Sequence, residues 1–205
     1  MIDKTVTDEE PITVAGMVER ISRNYPSHAA VIHGTDVLSY AELETISNVI
    51  AARLVSEHSR EKVIGISTSR SINMVTGVLG ILKAGKRYLP LDPTYPETRL
   101  RTVSEDAHLQ TILLTKEGDG DALSALELRL LETSKIAVSR QVEPIQRHED
   151  VAGYVLYTSG STGRPKGVQM GESALVNLLR WQQAHSRAGV GTRTLQFAPL
   201  TFDVS

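Results

Sequence analysis

The sequence predicts an α/β fold, a layered and largely parallel sheet flanked by helices. Short apolar, β-prone runs alternate with segments of helical apolar spacing through much of the chain. No internal repeat interrupts the alternation, so sheet and helix layers are expected rather than stacked repeats.

The elements follow in order. Residues 1–12 are polar and acidic, without an apolar segment, and read as a flexible lead-in. Thr13 is placed to cap a helix to about Asn24 with Val14, Met17, Val18 and Ile21 on one face, and Pro26 stops it. Ala29–His33 and Val37–Ser39 flank Gly34-Thr35-Asp36 as a hairpin. Ser39 and Glu42 have capping-box spacing for a helix to about Glu57 that buries Leu43, Ile46, Ile50 and Leu54. Val63–Ser67 reads as a strand, and Ile72–Ala84 as a helix closed by Gly85. Tyr88–Leu91 is a strand ended by Asp92-Pro93, and Pro96 opens the next helix. Thr111–Leu114 is another strand. Residues 116–150 have weak periodicity; a helix over Ala122–Glu132 and a strand over Ile136–Val138 are expected there. The apolar run Val151–Leu156 reads as a buried strand. Ser173–His185 is a helix expected to bury Leu175, Leu178, Leu179 and Trp181, and Thr194–Ala198 is a last strand. Tyr88 and Trp181 are assigned to core packing.

Composition narrows the function. A net charge of −2 gives no electrostatic case for nucleic acid or an anionic membrane. The absence of cysteine removes disulfides, thiolate metal sites and thiol nucleophiles, and suits a cytoplasmic protein. His28, His33, His58, His108, His148 and His185 are scattered, with no metal-ligand spacing. The longest mostly apolar run, Met74–Leu82, is too short to span a bilayer.

The most informative stretch is Tyr157-Thr158-Ser159-Gly160-Ser161-Thr162-Gly163-Arg164-Pro165-Lys166-Gly167, directly after the apolar run. Glycines let successive N–H groups converge on an anion, hydroxyls add donors, and a lysine adds a compact charge. That equipment suits a polyphosphate. Composition alone usually means a solvated turn, so the order of residues matters. It contains neither Gly-x-x-x-x-Gly-Lys-Ser/Thr nor Gly-x-Gly-x-x-Gly, so P-loop and dinucleotide readings lack their fingerprints.

The string closely resembles the phosphate-loop signature of adenylate-forming enzymes, T-S-G-S-T-G-x-P-K-G. Three further segments resemble the same family in order: Leu38–Leu43, Leu82–Pro93 and Phe202–Ser205. Together they look like the first core motifs of the amino-acid adenylation domains of nonribosomal peptide synthetases, within the AMP-binding superfamily that includes acyl-CoA synthetases and luciferases. The resemblance covers nearly the whole chain from about Thr13. It implies that residues 13–205 form a partial N-terminal subdomain of such a domain.

The implied reaction activates an amino-acid carboxylate as an aminoacyl-adenylate, using ATP and Mg2+. The acyl group then passes to the phosphopantetheine thiol of a peptidyl carrier protein. An MbtH-like helper is a further implied partner. The resemblance assigns Thr158, Ser159, Gly160, Ser161, Thr162 and Gly163 to the β- and γ-phosphates, with Lys166 holding or ordering the loop. Pro165 is expected to stiffen its exit. Asp203 matches the aspartate that pairs with the substrate's α-amino group. Alone, Lys166 would be a solvated lysine and Asp203 a strand-end aspartate; the shared frame gives them roles.

Lys86-Arg87 stand where the family has small residues and are expected at a surface turn, and Glu172 stands where a histidine is common. The family's catalytic lysine is not in the chain. The 205 residues are therefore expected to be a fragment with little adenylation activity alone. A non-catalytic module that binds nucleotide or a partner, and an acyl- or aryl-CoA ligase, are the competing readings.

Overall fold

The computed structural model describes residues 13–135, 152–159, 164–187 and 191–202. The lead-in, the Ile136–Val138 expectation, Gly160–Gly163 and Asp203 lie outside these.

Helix α1 (Val14–Asn24) starts where Thr13 Oγ1 accepts from Gly16 N at 2.9 Å. Strands β1 (Ala29–His33) and β2 (Asp36–Ser39) form a two-stranded antiparallel hairpin. Helix α2 (Tyr40–Glu57) opens with the expected capping box. The Ser39 hydroxyl accepts from Glu42 N, and the Glu42 carboxylate accepts from Ser39 N at 2.8 Å.

A six-stranded sheet follows in the order β6-β5-β3-β4-β7-β8. Its members are β3 (Val63–Ser67), β4 (Arg87–Leu91), β5 (Thr111–Leu114), β6 (Arg129–Glu132), β7 (Gly153–Ser159) and β8 (Pro165–Gly171). All neighbours run parallel except β7 and β8, which are antiparallel. The largely parallel α/β expectation holds, with one antiparallel edge strand.

Helix α3 (Ile72–Lys83) connects β3 to β4, and α4 (Glu97–Asp106) returns the chain to β5. Pro96 occupies the N-cap of α4, one residue ahead of its first turn. At the end of α3, Gly85 (φ +69°) lets its own N–H reach Leu82 O and the Lys86 N–H reach Ile81 O.

The sheet is covered on both faces. Ile50 and Leu54 of α2 and Ile81 and Leu82 of α3 pack against Ile64, Ile66, Tyr88 and Leu113 on one side. Leu100 and Val103 of α4, with Leu123, pack against Leu89, Leu91, Ile112 and Val155 on the other. Strands covered twice read as continuous apolar runs, which makes them visible in the sequence.

Four expectations are corrected. The Ala122–Glu132 segment is not one helix: α5 (Asp119–Leu123) passes through a 3-10 turn at Ser124–Leu126, and Arg129–Glu132 is strand β6, paired to Thr111–Leu114. Pairing with β5 satisfies backbone groups that an unpaired edge would leave open, and this outweighs local helix propensity. Thr194–Ala198 forms no strand; the described residues give it no ladder partner. In α6 (Glu172–His185), Val176 and Glu172 are buried, whereas Leu178 and Trp181 are exposed, with the Trp181 indole stacked on His185. Finally, Lys86 is not at a surface turn. It is 4% exposed, and its Nζ donates to His58 O at 2.7 Å and Glu61 O at 2.6 Å. Burial pushes its ammonium below the ordinary lysine range, and the Glu61 charge opposes that shift.

Candidate functional site

The motif residues are carried by the β7–β8 hairpin. Because β7 is parallel to β4, the end of the hairpin that pairs Ser159 with Pro165 lies toward the carboxyl ends of the parallel strands. Those ends are where α/β sheets bind ligands, above all where successive crossovers leave in opposite directions. Here α3 carries the chain from β3 to β4 on one face, and α4 carries it back past β3 to β5 on the other. The crossovers leaving β3 and β5 thus diverge to opposite faces, so the switch point lies between β3 and β5, at the same end of the sheet.

Thr158 and Lys166 are directly opposed across the hairpin, and Ser159 is opposed to Pro165. Opposed residues share a face, with Cβ atoms roughly 4.5–5.5 Å apart. Both Thr158 and Lys166 are exposed. One hydroxyl and one ammonium thus stand side by side at the carboxyl end, as an anion requires. The strands reach further into the motif than a loop reading implies. Pro165 is the first residue of β8, where its missing N–H costs little. Ser159 is described in its backbone only; Gly160, Ser161, Thr162, Gly163 and Asp203 lie outside the described residues.

The opposite face of the hairpin is anchored by Tyr157. Its hydroxyl donates to Asp106 Oδ2, at the end of α4, at 2.6 Å. Burial first, and then the Asp106 carboxylate, push the phenol well above its ordinary range, so it stays a donor. Directly across the ladder is Gly167, where a Cβ would lie 2.9 Å from the Tyr157 ring. The motif's last glycine leaves room for an aromatic ring to lie across the hairpin.

Two side chains tie the segment preceding Asp203 to the same end of the sheet. Arg70, between β3 and α3, donates to Phe197 O at 2.7 Å, and the Tyr95 and Thr201 hydroxyls are 3.3 Å apart. Beneath Arg70, the Ser67 and Ser69 hydroxyls each donate to the buried Asp119 carboxylate at 2.6 Å, fixing the loop after β3. Asp106, Arg70 and Asp119 carry no local signature in the sequence; they are brought in by contacts across the fold. Among the described residues no group of three or more His, Asp or Glu is arranged to hold a metal.

The described fold and hairpin define an α/β protein that presents Thr158 and Lys166 at the carboxyl end of a parallel sheet. The family model for AMP-binding enzymes matches residues 18–205, and the chain belongs to that family. It is 42% identical over 185 residues to zwittermicin A synthase ZmaJ of Bacillus cereus, a match covering 88% of this chain and 35% of that protein. It is 36% identical over 196 residues to tyrocidine synthase 3 of Brevibacillus parabrevis, covering 93% of this chain and 3% of the relative. The chain thus spans about a third or less of these relatives. Among solved structures, the nonribosomal peptide synthetase FmoA3 superposes with a TM-score of 0.83 at 25% identity, covering 95% of this chain and 21% of that one. A fatty acyl-adenylate ligase from L. pneumophila shares the fold, with a TM-score of 0.72 at 17% identity over 86% of this chain and 33% of that one. No helix among the described residues is long and apolar enough to cross a membrane.

Proposed function

We propose that residues 13–205 supply the triphosphate-holding part of an amino-acid adenylation site. The observation that carries this reading is the ordered motif on the β7–β8 hairpin, with Thr158 and Lys166 opposed at the carboxyl end of the sheet. Family membership and the synthases among the relatives support it.

In this reading Thr158, Ser159, Gly160, Ser161, Thr162 and Gly163 donate to the β- and γ-phosphates. Lys166 offsets charge there, which is the main help phosphoryl chemistry takes from a protein. Mg2+ arrives on the triphosphate, as it commonly does where a site binds it through phosphate oxygens and water. ATP supplies the leaving group a carboxylate lacks: a substrate carboxylate oxygen bonds to the α-phosphorus and pyrophosphate departs. The phosphopantetheine thiol of a carrier protein then takes the acyl group and AMP departs. Asp203 pairs with the α-amino group, making the substrate an amino acid. The setting is cytoplasmic, and an MbtH-like helper is a further candidate partner.

The test is amino-acid-dependent exchange of pyrophosphate into ATP, on the protein that carries these residues. Lys166→Ala is expected to raise KM for ATP by about 10–100-fold, the loss of one charge-assisted contact or slightly more. Asp203→Ala is expected to abolish dependence on the amino acid. Exchange supported by fatty or aryl acids and unaffected at Asp203 overturns the choice of substrate; unchanged KM in Lys166→Ala overturns the phosphate assignment.

A further inference from the structure

The phosphate-binding reading leaves Tyr157 and Asp106 without a role, and the geometry of β7 supplies one. Among the described residues, the parallel ladder from β4 to β7 covers Arg87↔Gly153 and Tyr88↔Tyr154 and goes no further. The antiparallel ladder to β8 continues to Ser159↔Pro165. The half of the hairpin that carries Thr158 and Lys166 therefore projects past the last backbone bond to the sheet. A two-stranded ribbon without a third strand holds its direction poorly. Val155 packs into the core under α4, which holds the ribbon's base. Leu156 is buried and the Tyr157 ring packs on the same core; among the described residues the polar tie beyond them is the hydrogen bond from the Tyr157 hydroxyl to Asp106 Oδ2.

The latch fits its task. Tyr157 is the residue immediately before Thr158, so fixing its ring fixes the plane in which the Thr158–Lys166 pair lies. Its ring lies over Gly167, so it grips both strands. Asp106 closes a helix whose Leu100 and Val103 are buried against the sheet, so the acceptor is on a rigid element. A phenol donating to a carboxylate is a strong, directional bond.

We infer that the Tyr157–Asp106 hydrogen bond is a positioning latch that aims the projecting half of the β7–β8 hairpin, and with it Thr158 and Lys166, at the triphosphate. The inference rests on the phosphate reading above. Both residues act through the hairpin and neither touches the reacting atoms.

The experiment compares wild type with Tyr157→Phe, Asp106→Ala, the double variant and Asp106→Asn, in the protein that carries these residues. Phenylalanine keeps the ring over Gly167, and asparagine keeps an acceptor, so both preserve packing. Steady-state pyrophosphate exchange is expected to show KM for ATP raised about five-fold in Tyr157→Phe and in Asp106→Ala, the effect of one net hydrogen bond. The double variant is expected to be no worse than either single one, because both remove the same bond. KM for the amino acid and kcat stay near wild type, and Asp106→Asn stays near wild type throughout. Unchanged KM for ATP in the single variants, or additive losses, overturns the inference. A second readout needs no activity: amide hydrogen exchange over residues 155–159 and 165–170 is expected to be roughly five-fold faster in Tyr157→Phe, with the rest of the sheet unchanged. Unchanged protection there overturns the latch. Faster amide exchange in Tyr157→Phe, in a protein whose wild type gives no pyrophosphate exchange, would instead keep the latch and discard the phosphate reading.

Discussion

At the scale of single residues, the caps are legible because they are written within four positions of one another. Ser39 and Glu42 identify each other in the sequence, and the structure closes both bonds. The Ser39 hydroxyl, and then its amide, hold the Glu42 carboxyl below its ordinary value of 4.5. A lowered folded-state pKa means a contribution fully present above 4.5 and lost as pH falls through the folded value. Glu42→Gln should therefore be slightly less stable than wild type at neutral pH and converge with it at acid pH, flattening the acid side of the curve. Thermal melts between about pH 6 and pH 3 check this. Lys86 is not legible in this way. Following Gly85 it has the look of a surface turn, but its stem reaches inward to two carbonyls near the end of α2, and those partners are set by the fold. Tyr157 is visible as part of the motif, but its partner Asp106 is 51 residues earlier and unmarked.

At the scale of elements, helices with local punctuation can be read from the sequence, and elements defined by a distant partner cannot. The strand Arg129–Glu132 exists because Thr111–Leu114 offers it a ladder. The exposed Leu178 and Trp181 of α6 show the same limit, since periodicity gives a stripe and not what it faces. Glu172 occupies a place in the fold that explains an acid at this position. It begins α6, is 6% exposed, and its Oε1 accepts from the first N–H of α1, Val14 N, at 2.8 Å. A carboxylate there meets both an otherwise unpaired donor and the positive end of a helix. Glu172→Ala should cost about 1–2 kcal/mol, as loss of a cap does, with Glu172→Gln milder because it keeps an acceptor. The shift in urea midpoint at constant slope is the measurement.

At the scale of the whole molecule, the alternation of strand and helix gave the layers, and strand order had to come from the structure. The sheet places the β3–β5 switch point and the Thr158–Lys166 end of the hairpin at one carboxyl end. A nucleotide bound there would bind the folded chain alone. At a hundred times its dissociation constant it would add about 2.7 kcal/mol, or roughly 5–10 °C in melting temperature for a chain of this size. Calorimetry with and without Mg-ATP measures that shift, and no shift at saturating nucleotide counts against the site. The bond between Glu172 and Val14 has one more consequence, and it concerns time. It joins residues 158 apart. During synthesis at ~5–20 residues per second, α1 is made roughly 8–30 s before its acceptor. Over that interval the first helix must wait, with Thr13 as its local cap, until nearly all the described chain has been added.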